Sequence, residues 1–155
     1  MYFAAAPGVD RQLEFISKDQ QQTAELAAEF AAFLQPGDVV ALQGDLGSGK
    51  TVTARAIARA LGYEGNVTSP TFTLLNIYPA EKMPVYHFDF YRIATSHEAV
   101  DIGAMDYFEG EGICLVEWPE RVADILPAGS YFFSLDIPDY HTDPDKRTIV
   151  ISRSS

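Results

Sequence analysis

Residues 44–51 read GDLGSGKT and constrain the fold of this chain more than any other segment. They fit the pattern G-x-x-x-x-G-K-[ST], in which the backbone N–H groups of a glycine-rich loop surround the phosphates of a nucleotide. Glycines let the chain turn sharply and approach the phosphate oxygens closely, because they carry no Cβ atom. We therefore predict a nucleotide site whose loop contacts come from Asp45, Leu46, Gly47, Ser48, Gly49, Lys50, Thr51 and Val52.

Two side chains of this loop have roles that follow from the pattern. We expect Lys50 to reach the β- and γ-phosphates and the Thr51 hydroxyl to hold Mg²⁺. The flanking sequence supports the motif. Residues 38–43 form an apolar run typical of a buried strand, and residues 51–61 are typical of a helix that ends at Gly62. Strand, loop and helix therefore follow in the order that the motif requires.

The rest of the chain alternates strands with helices. We predict further strands at residues 13–16, 72–78, 85–91, 113–117, 131–137 and 148–152, and helices between Ser17 and Pro36 and over residues 96–109 and 119–126. We expect Ser17 to cap the first helix in a capping box with Gln20. This order predicts a single α/β domain over residues 1–155, with the three-layer P-loop NTPase fold and a mixed parallel and antiparallel central sheet. The short polar connection between the second and third of these strands predicts an antiparallel hairpin.

Composition and charge narrow the classes of function. The formal net charge is −11, and such an acidic chain repels phosphate backbones, so we do not expect tight binding to nucleic acid by this chain alone. The single cysteine, Cys114, cannot form a disulfide within the chain, which fits a reducing compartment. We recognise no signal peptide or membrane-spanning run, and therefore expect a soluble, cytoplasmic protein without a membrane partner. We also expect about the first ten residues and the last few to be disordered.

A phosphate-binding loop needs an acidic side chain from another strand to complete a Mg²⁺ site. Glu117 follows the apolar run of residues 113–116 and so lies at a strand end, and Asp89 lies in the alternating segment HFDFY. Alternation along this segment places His87, Asp89 and Tyr91 on one face of its strand. Each acid has a plain alternative, a solvated strand end for Glu117 and the polar face of a half-exposed strand for Asp89. The pattern alone leaves both choices open.

Hydroxyl side chains cluster in the loop after the predicted phosphate-binding helix, at Thr68, Ser69 and Thr71. In nucleotide switches a hydroxyl in such a loop senses the γ-phosphate, whereas ordinary turns carry the same residue types. Position alone favours the ordinary turn. The histidines outside the HFDFY segment show no metal-ligand spacing, so we do not expect a zinc site.

Four segments in order resemble one protein family. They are GDLGSGKT at residues 44–51, SPTFTLLNIY at 69–78, VYHFDFYR at 85–92 and LVEWPER at 115–121. Together they resemble the TsaE (YjeE) family, small bacterial P-loop ATPases of tRNA threonylcarbamoyladenosine (t6A) biosynthesis, over about residues 14–135. The resemblance implies slow, Mg²⁺-dependent hydrolysis of ATP to ADP. It also implies two protein partners, TsaB and TsaD, which build the modification on adenosine 37, so that contact with tRNA is indirect.

The same resemblance assigns roles to individual residues. It implies catalytic roles for Lys50, Asp89 and Glu117, and Mg²⁺ binding by Thr51 and Glu117. Asp89 would position the attacking water or a metal-bound water, while Thr71 and Trp118 would lie beside the nucleotide. Two residues depart from the family pattern. Ser48 replaces a common alanine and Val52 replaces a usual threonine, and neither change removes a phosphate ligand.

Other nucleotide-binding classes remain open at this stage. A small-molecule kinase would need an acceptor site with arginines on a lid, but the chain has only 11 lysines and arginines and no arginine-rich segment. A GTPase would need an N-K-x-D segment, which the sequence lacks. The nearest alternative is a nucleotide-binding assembly module, in which ATP joins proteins together and hydrolysis has no catalytic role.

Overall fold

The computed structural model describes residues 2–9 and 11–155, and its framework is one seven-stranded sheet. The strands in chain order are β1 (Leu13–Ser17), β2 (Val39–Gln43), β3 (Leu75–Tyr78), β4 (Val85–Asp89), β5 (Ile113–Glu117), β6 (Tyr131–Asp136) and β7 (Arg147–Arg153). Their order across the sheet is β1-β7-β6-β2-β5-β4-β3. β6, β2, β5 and β4 run parallel at the centre, whereas β7, β1 and β3 join by antiparallel pairing. The predicted mixed sheet and the β3–β4 hairpin are confirmed.

Helices cover both faces of the sheet and produce the three predicted layers. They are α1 (Gln20–Ala31), α2 (Lys50–Ala60), α3 (Ser96–Asp101) and α4 (Ala104–Phe108), followed by a short 3₁₀ helix, Pro119–Val122. On one face α1 and α2 bury Phe30 and Ile57 in one core with Leu115 of β5. On the other face α4 buries Phe108 against Phe88 of β4. Each of these side chains gains about 1.5–3 kcal/mol of transfer free energy by burial.

The structure bears on membrane association in one respect. Within residues 2–9 and 11–155, every helix is too short or too polar to reach across the hydrocarbon layer of a bilayer.

Alternation along β4 and β5 buries the acidic candidates. His87 and Asp89 lie on the same face of β4 as Val85, which belongs to the core under α1 and α2. His87 is 0 % exposed, and Asp89 and Glu117 are each 3 % exposed. A solvated strand end and a half-exposed polar face are therefore wrong for these residues. Because buried polar groups are costly unless they are hydrogen-bonded, these three side chains need specific partners.

Asp19, and not Ser17, caps α1. The Asp19 carboxylate accepts a hydrogen bond of 2.8 Å from the backbone N–H of Gln22. Ser17 is the last residue of β1, where it pairs with Arg147, and its hydroxyl donates to the Asp19 carbonyl at 2.7 Å. Both residue types are good caps. The sheet register, which the local pattern does not contain, decides between them.

Two other predicted elements are interrupted by backbone turns. The helix predicted over residues 96–109 is divided into α3 and α4, because Gly103 lies between them with a φ of +88°. The strand predicted over residues 72–78 begins only at Leu75. The residues before it form a turn, in which the N–H of Leu74 donates to the Pro70 carbonyl at 2.8 Å.

The N-terminal segment reaches the core through Phe3, which lies within the stretch that we expected to be disordered. Phe3 is 5 % exposed, and its ring centroid lies 4.9 Å from that of Phe15 and 5.5 Å from that of Phe33. Glu29 of α1 accepts hydrogen bonds from the backbone N–H groups of Tyr2 and Phe3 at 2.7 and 3.1 Å. These contacts hold the segment against α1.

We expect Cys114, the only cysteine of the chain, to be unreactive in the folded protein. Cys114 is 1 % exposed in β5, and burial raises the pKa of its thiol to about 12. At pH 8 the thiolate fraction is then about 10⁻⁴, compared with roughly a quarter for a free cysteine. An aromatic disulfide reagent should therefore label native protein roughly a thousandfold more slowly than denatured protein. Equal labelling rates would contradict the burial of β5.

Candidate functional site

The predicted site residues follow or end neighbouring parallel strands. The glycine-rich loop follows β2, Glu117 ends β5, and Asp89 ends β4. In the sheet register Glu117 is paired with Asp89 on one side and with Leu42 on the other. Open α/β sheets bind ligands beyond the carboxyl ends of their parallel strands. The topology therefore brings the loop and both acids to one place, as the sequence predicts.

The loop before α2 has positive φ angles at Gly44, Gly47 and Gly49, a conformation that residues with a side chain rarely adopt. Gly44 has a φ of +151°, and a Cβ atom there would lie 2.7 Å from the Leu135 carbonyl oxygen. Gly49 has a φ of +114° and precedes α2 without any side-chain capping bond. The first N–H groups of α2 therefore have no side-chain acceptor at this cap. They can bind an anion, which the positive end of the helix dipole also favours.

Lys50 is buried and folded back onto its own loop. It is 5 % exposed, and its Nζ donates to the Gly44 carbonyl at 2.6 Å and lies 3.9 Å from the centroid of the Trp118 ring. Burial lowers the pKa of Lys50 from its usual value, an effect that the nearby carboxylates, of which Glu117 has the largest influence, partly offset. The ammonium is therefore poorly solvated, and a phosphate oxygen would replace the carbonyl at a gain in charge pairing.

Asp89 holds in place the loop of residues 68–71, which we call the hydroxyl loop. Its Oδ2 accepts hydrogen bonds from the hydroxyls of Ser69 at 2.7 Å and Thr71 at 3.1 Å. Its Oδ1 accepts from the backbone N–H of Tyr91 at 2.9 Å. The carboxylate thus joins the end of β4 to the segment that follows α2. An ordinary turn, which position alone favoured, does not account for two hydroxyls bonded to one buried acid.

A buried chain of hydrogen bonds links Glu117 to the hydroxyl loop at Thr68. Glu117 Oε2 lies 2.6 Å from His87 Nε2, and His87 Nδ1 lies 2.9 Å from the Tyr78 hydroxyl. The Tyr78 hydroxyl also donates to the Thr68 carbonyl at 3.1 Å. Burial raises the pKa of Tyr78, so the phenol keeps its proton. The sequence predicted neither the His87–Glu117 pair nor Tyr78, because both depend on strand pairing between distant segments.

Aromatic rings form one wall of the site. Trp118 is half-buried, and its ring centroid lies 4.9 Å from that of Tyr91. Its φ of +58° is unusual for a bulky residue and costs of the order of 1–3 kcal/mol. In this conformation the ring contacts both Lys50 and Tyr91. Arg92, in contrast, is exposed with its guanidinium carbon 4.2 Å from the centroid of the Phe72 ring.

A cavity of about 400 Å³ lies where these elements meet. It is lined by Leu46, Gly47, Gly49, Lys50, Thr51, Val52, Ser69, Thr71, Asp89, Tyr91, Glu117 and Trp118. The structure therefore brings together Lys50, Asp89 and Glu117, the three predicted catalytic residues. Asp45 and Ser48 belong to the loop but line a separate pocket beside β6.

The donor set of the cavity fits a magnesium ion that is bound together with phosphates. Hydroxyl and carboxylate oxygens are available from Thr51, Asp89 and Glu117, and Mg²⁺ prefers oxygen ligands. Among the residues described, no group of three or more His, Cys, Asp or Glu side chains is arranged to hold a metal. Protein ligands would thus supply only part of the shell, and phosphate and water oxygens the rest.

Comparisons with known proteins agree on one family. The family model described as "Threonylcarbamoyl adenosine biosynthesis protein TsaE" matches residues 17–149. The Bacillus subtilis tRNA threonylcarbamoyladenosine biosynthesis protein TsaE is 42 % identical over 76 % of this chain and 73 % of the relative. The protein of the same name from Treponema pallidum is 41 % identical over 79 % of this chain and 90 % of the relative.

A solved structure extends the similarity to the fold. The crystal structure of Bacillus subtilis YdiB superimposes with a TM-score of 0.76 at 33 % sequence identity. The alignment covers 94 % of this chain and 87 % of that chain. The predicted P-loop α/β architecture is thereby confirmed.

Proposed function

The chain belongs to the TsaE family, and from this premise we propose that it is a Mg²⁺-dependent ATPase required for the t6A modification of tRNA. The observation that supports ATP binding is the cavity in which the glycine-rich loop, Lys50, Asp89 and Glu117 converge. A triphosphate fits this arrangement, because the loop amides and the ammonium supply donors and positive charge where the phosphates would lie.

In the proposed reaction, water attacks the γ-phosphorus, a new P–O bond forms, and the bond to the bridging β–γ oxygen breaks to leave ADP and phosphate. Lys50 would leave the Gly44 carbonyl and pair with the β- and γ-phosphates as negative charge shifts toward the leaving oxygen. Asp89 would orient the attacking water. Mg²⁺, held by Thr51 and Glu117, would neutralise phosphate charge when bound.

The hydrogen bonds of Asp89 support a low intrinsic rate. Both of its oxygens are occupied by donors from Ser69, Thr71 and Tyr91. Three such donors use most of the roughly four lone-pair sites of the carboxylate, so Asp89 has little capacity to hold a water until residues 69–71 move. We therefore propose slow turnover by the isolated chain and a faster step when a partner moves residues 69–71.

We propose that the partners are TsaB and TsaD, that tRNA is contacted only through their complex, and that the protein acts in the cytoplasm. The net charge of −11 supports docking to a protein rather than to RNA. If acidic surface drives the docking, added salt should weaken the complex steeply, as expected for solvent-exposed charge pairs. Salt-insensitive binding would argue against charge as the driving force.

The experiment that tests the proposal is Mg²⁺-dependent ATP hydrolysis by the purified protein, alone and with TsaB plus TsaD. We expect slow hydrolysis alone and a clear change in rate when both partners are present. A rate indifferent to the partners would leave the nucleotide site but reopen the kinase alternative, which a panel of metabolite acceptors would test. Partner binding and cellular function that survive Asp89→Ala and Glu117→Ala would favour the assembly module instead.

Nucleotide binding should change the fluorescence of Trp118, the only tryptophan of the chain. The Lys50 ammonium now lies over its ring, and pairing with phosphate would remove that contact. Titration with ATP and Mg²⁺ should give a saturable change in emission. A Lys50→Met variant, in which no ammonium contacts the ring, should show a different initial emission and a much smaller change. An unchanged emission in the wild-type protein under saturating ATP would contradict this expectation.

A further inference from the structure

An arginine at the start of β7, Arg147, binds the outer side of the glycine-rich loop. Its Nε donates to the Ser48 carbonyl at 2.6 Å, and its Nη2 donates to the Gly47 carbonyl at 3.2 Å. Its Nη1 donates to the carbonyls of Pro144 and Lys146 at 2.5 and 3.0 Å. The planar guanidinium thus connects the loop to the segment between β6 and β7 through four hydrogen bonds, one more than the three donors of an ammonium group could make.

The charge of Arg147 has no acidic partner in the part of the chain that the structure describes. The close contacts between basic and acidic side chains found there are those of His87 with Glu117 and of Arg153 with Asp38. The hydrogen bonds of Arg147 go instead to backbone carbonyls, and such charge-assisted bonds are roughly twice as strong as neutral ones. The glycine-rich loop is thus strongly attached to Arg147 through its backbone, and the positive charge of Arg147 lies next to the loop.

Peptide geometry transmits this attachment to the phosphate side. The C=O and N–H groups of a trans peptide point in opposite directions, and the described residues contain no cis peptide. Holding the Ser48 carbonyl on Arg147 therefore directs the Gly49 N–H away from Arg147. Gly49 lines the cavity that contains Lys50.

We infer that Arg147 is a positioning residue for the nucleotide, because it fixes the peptide planes of the glycine-rich loop before the phosphates arrive. The inference rests on the proposed function. Among the described residues, Ser48 Oγ is the only buried side-chain nitrogen or oxygen atom that lacks a hydrogen-bond partner. The side chain of Ser48 thus provides no hydrogen bond to hold the loop, and its carbonyl does. A loop ordered in advance loses less entropy when it binds its ligand.

The expected signature is a loss of affinity with little loss of turnover. Arg147 does not line the cavity in which Asp89 and Glu117 lie, so it does not touch the reacting atoms. Arg147→Ala should raise the KM for ATP and the Kd for ADP by roughly tenfold. Turnover at saturating ATP should stay within about twofold of wild type, because the ligand then orders the loop itself. Arg147→Lys should have a KM for ATP between those of wild type and Arg147→Ala. If the alanine variant folds poorly, the lysine variant tests whether the forked shape of the guanidinium is needed.

The matched control is Arg153→Ala, at the other end of the same strand. The Arg153 guanidinium also donates to a loop carbonyl, that of Gly129 at 2.9 Å, and lies 4.5 Å from the centroid of the Tyr131 ring. Arg153→Ala should lose about as many packing contacts as Arg147→Ala does, without changing the KM for ATP. Millimolar guanidinium should restore part of the affinity of Arg147→Ala and none of any defect in Arg153→Ala.

The outcomes separate the inference from the proposed function. An Arg147→Ala protein that is less stable but binds ATP with the wild-type KM would overturn the inference, because a folding defect lowers the active fraction and not the affinity. A wild-type protein that binds neither ATP nor ADP would instead remove the proposed function, and the inference with it.

Discussion

Replacing Lys50 with alanine is expected to abolish ATP hydrolysis. The ammonium is the one buried cation that lines the described cavity, and it would offset the charge that develops on the β- and γ-phosphate oxygens. Removing one such preorganised donor typically lowers kcat by about 10²–10³. The variant should still fold, because the lowered pKa of Lys50 shows that burial penalises its charge. Hydrolysis of radiolabelled ATP, with thermal unfolding as the test of folding, measures both effects.

Lys82→Ala is the matched control for this variant. Lys82 is an exposed lysine between β3 and β4, away from the cavity, and its loss removes the same formal charge. It should hydrolyse ATP at the wild-type rate. Hydrolysis by Lys50→Ala at a rate near that of Lys82→Ala would show that the site has been assigned to the wrong residues.

Glu117→Ala is expected to weaken Mg²⁺-dependent nucleotide binding more than Asp89→Ala does. We assign Glu117 to the metal and Asp89 to the water. The hydrogen bonds favour Glu117 as the metal ligand. Three donors contact the Asp89 carboxylate, whereas the Glu117 carboxylate has one side-chain hydrogen bond, to His87, among the described residues. Loss of the metal ligand should cost at least about tenfold in affinity, the lower end of what even outer-sphere partners contribute. ADP titrations with and without Mg²⁺ measure this difference.

A glutamine at position 117 separates metal binding from folding. Glu117→Ala leaves the buried His87 ring without its partner, which costs about 1–3 kcal/mol of stability. Glu117→Gln keeps a hydrogen-bond acceptor for His87 but loses the negative charge that binds the metal. It should therefore be more stable than Glu117→Ala and still lose the Mg²⁺-dependent part of the affinity. A larger loss in Asp89→Ala than in Glu117→Gln would mean that the two roles are exchanged.

Local patterns predicted those parts of the fold and site that depend on neighbouring residues. The glycine-rich motif located a strand, a loop and α2, and alternation in HFDFY placed His87 and Asp89 on one face. The mixed sheet followed from the order of the predicted elements and the hairpin between β3 and β4. In each case the signal lies within a short window of sequence, where backbone periodicity or steric demand determines the outcome.

Contacts between distant segments were beyond the reach of such patterns. The pairing of His87 with Glu117 requires β4 to lie beside β5 in one particular register. Arg147 reaches Ser48 only because β7 lies two strands from β2. The choice of Asp19 over Ser17 as the α1 cap depends likewise on where β1 stops pairing with β7. A single sequence contains no statement of which strands are neighbours, so these features appear only in the fold.

Asp89 and Glu117 lie on strands inside the sheet, whereas the hydroxyl partners of Asp89 lie on an exposed loop. The two parts of the site can therefore open at different rates. Amides of the buried strands β2 and β5 should exchange with solvent deuterium only when the whole domain unfolds, whereas Thr68, Ser69 and Phe72 lie in an exposed segment that can open by itself. The two acids are buried at the ends of their strands and thus belong to the part of the site that stays folded. The hydroxyl loop can open separately from the rest of the domain. A partner or a γ-phosphate can change the free energy of that opening without disturbing the fold.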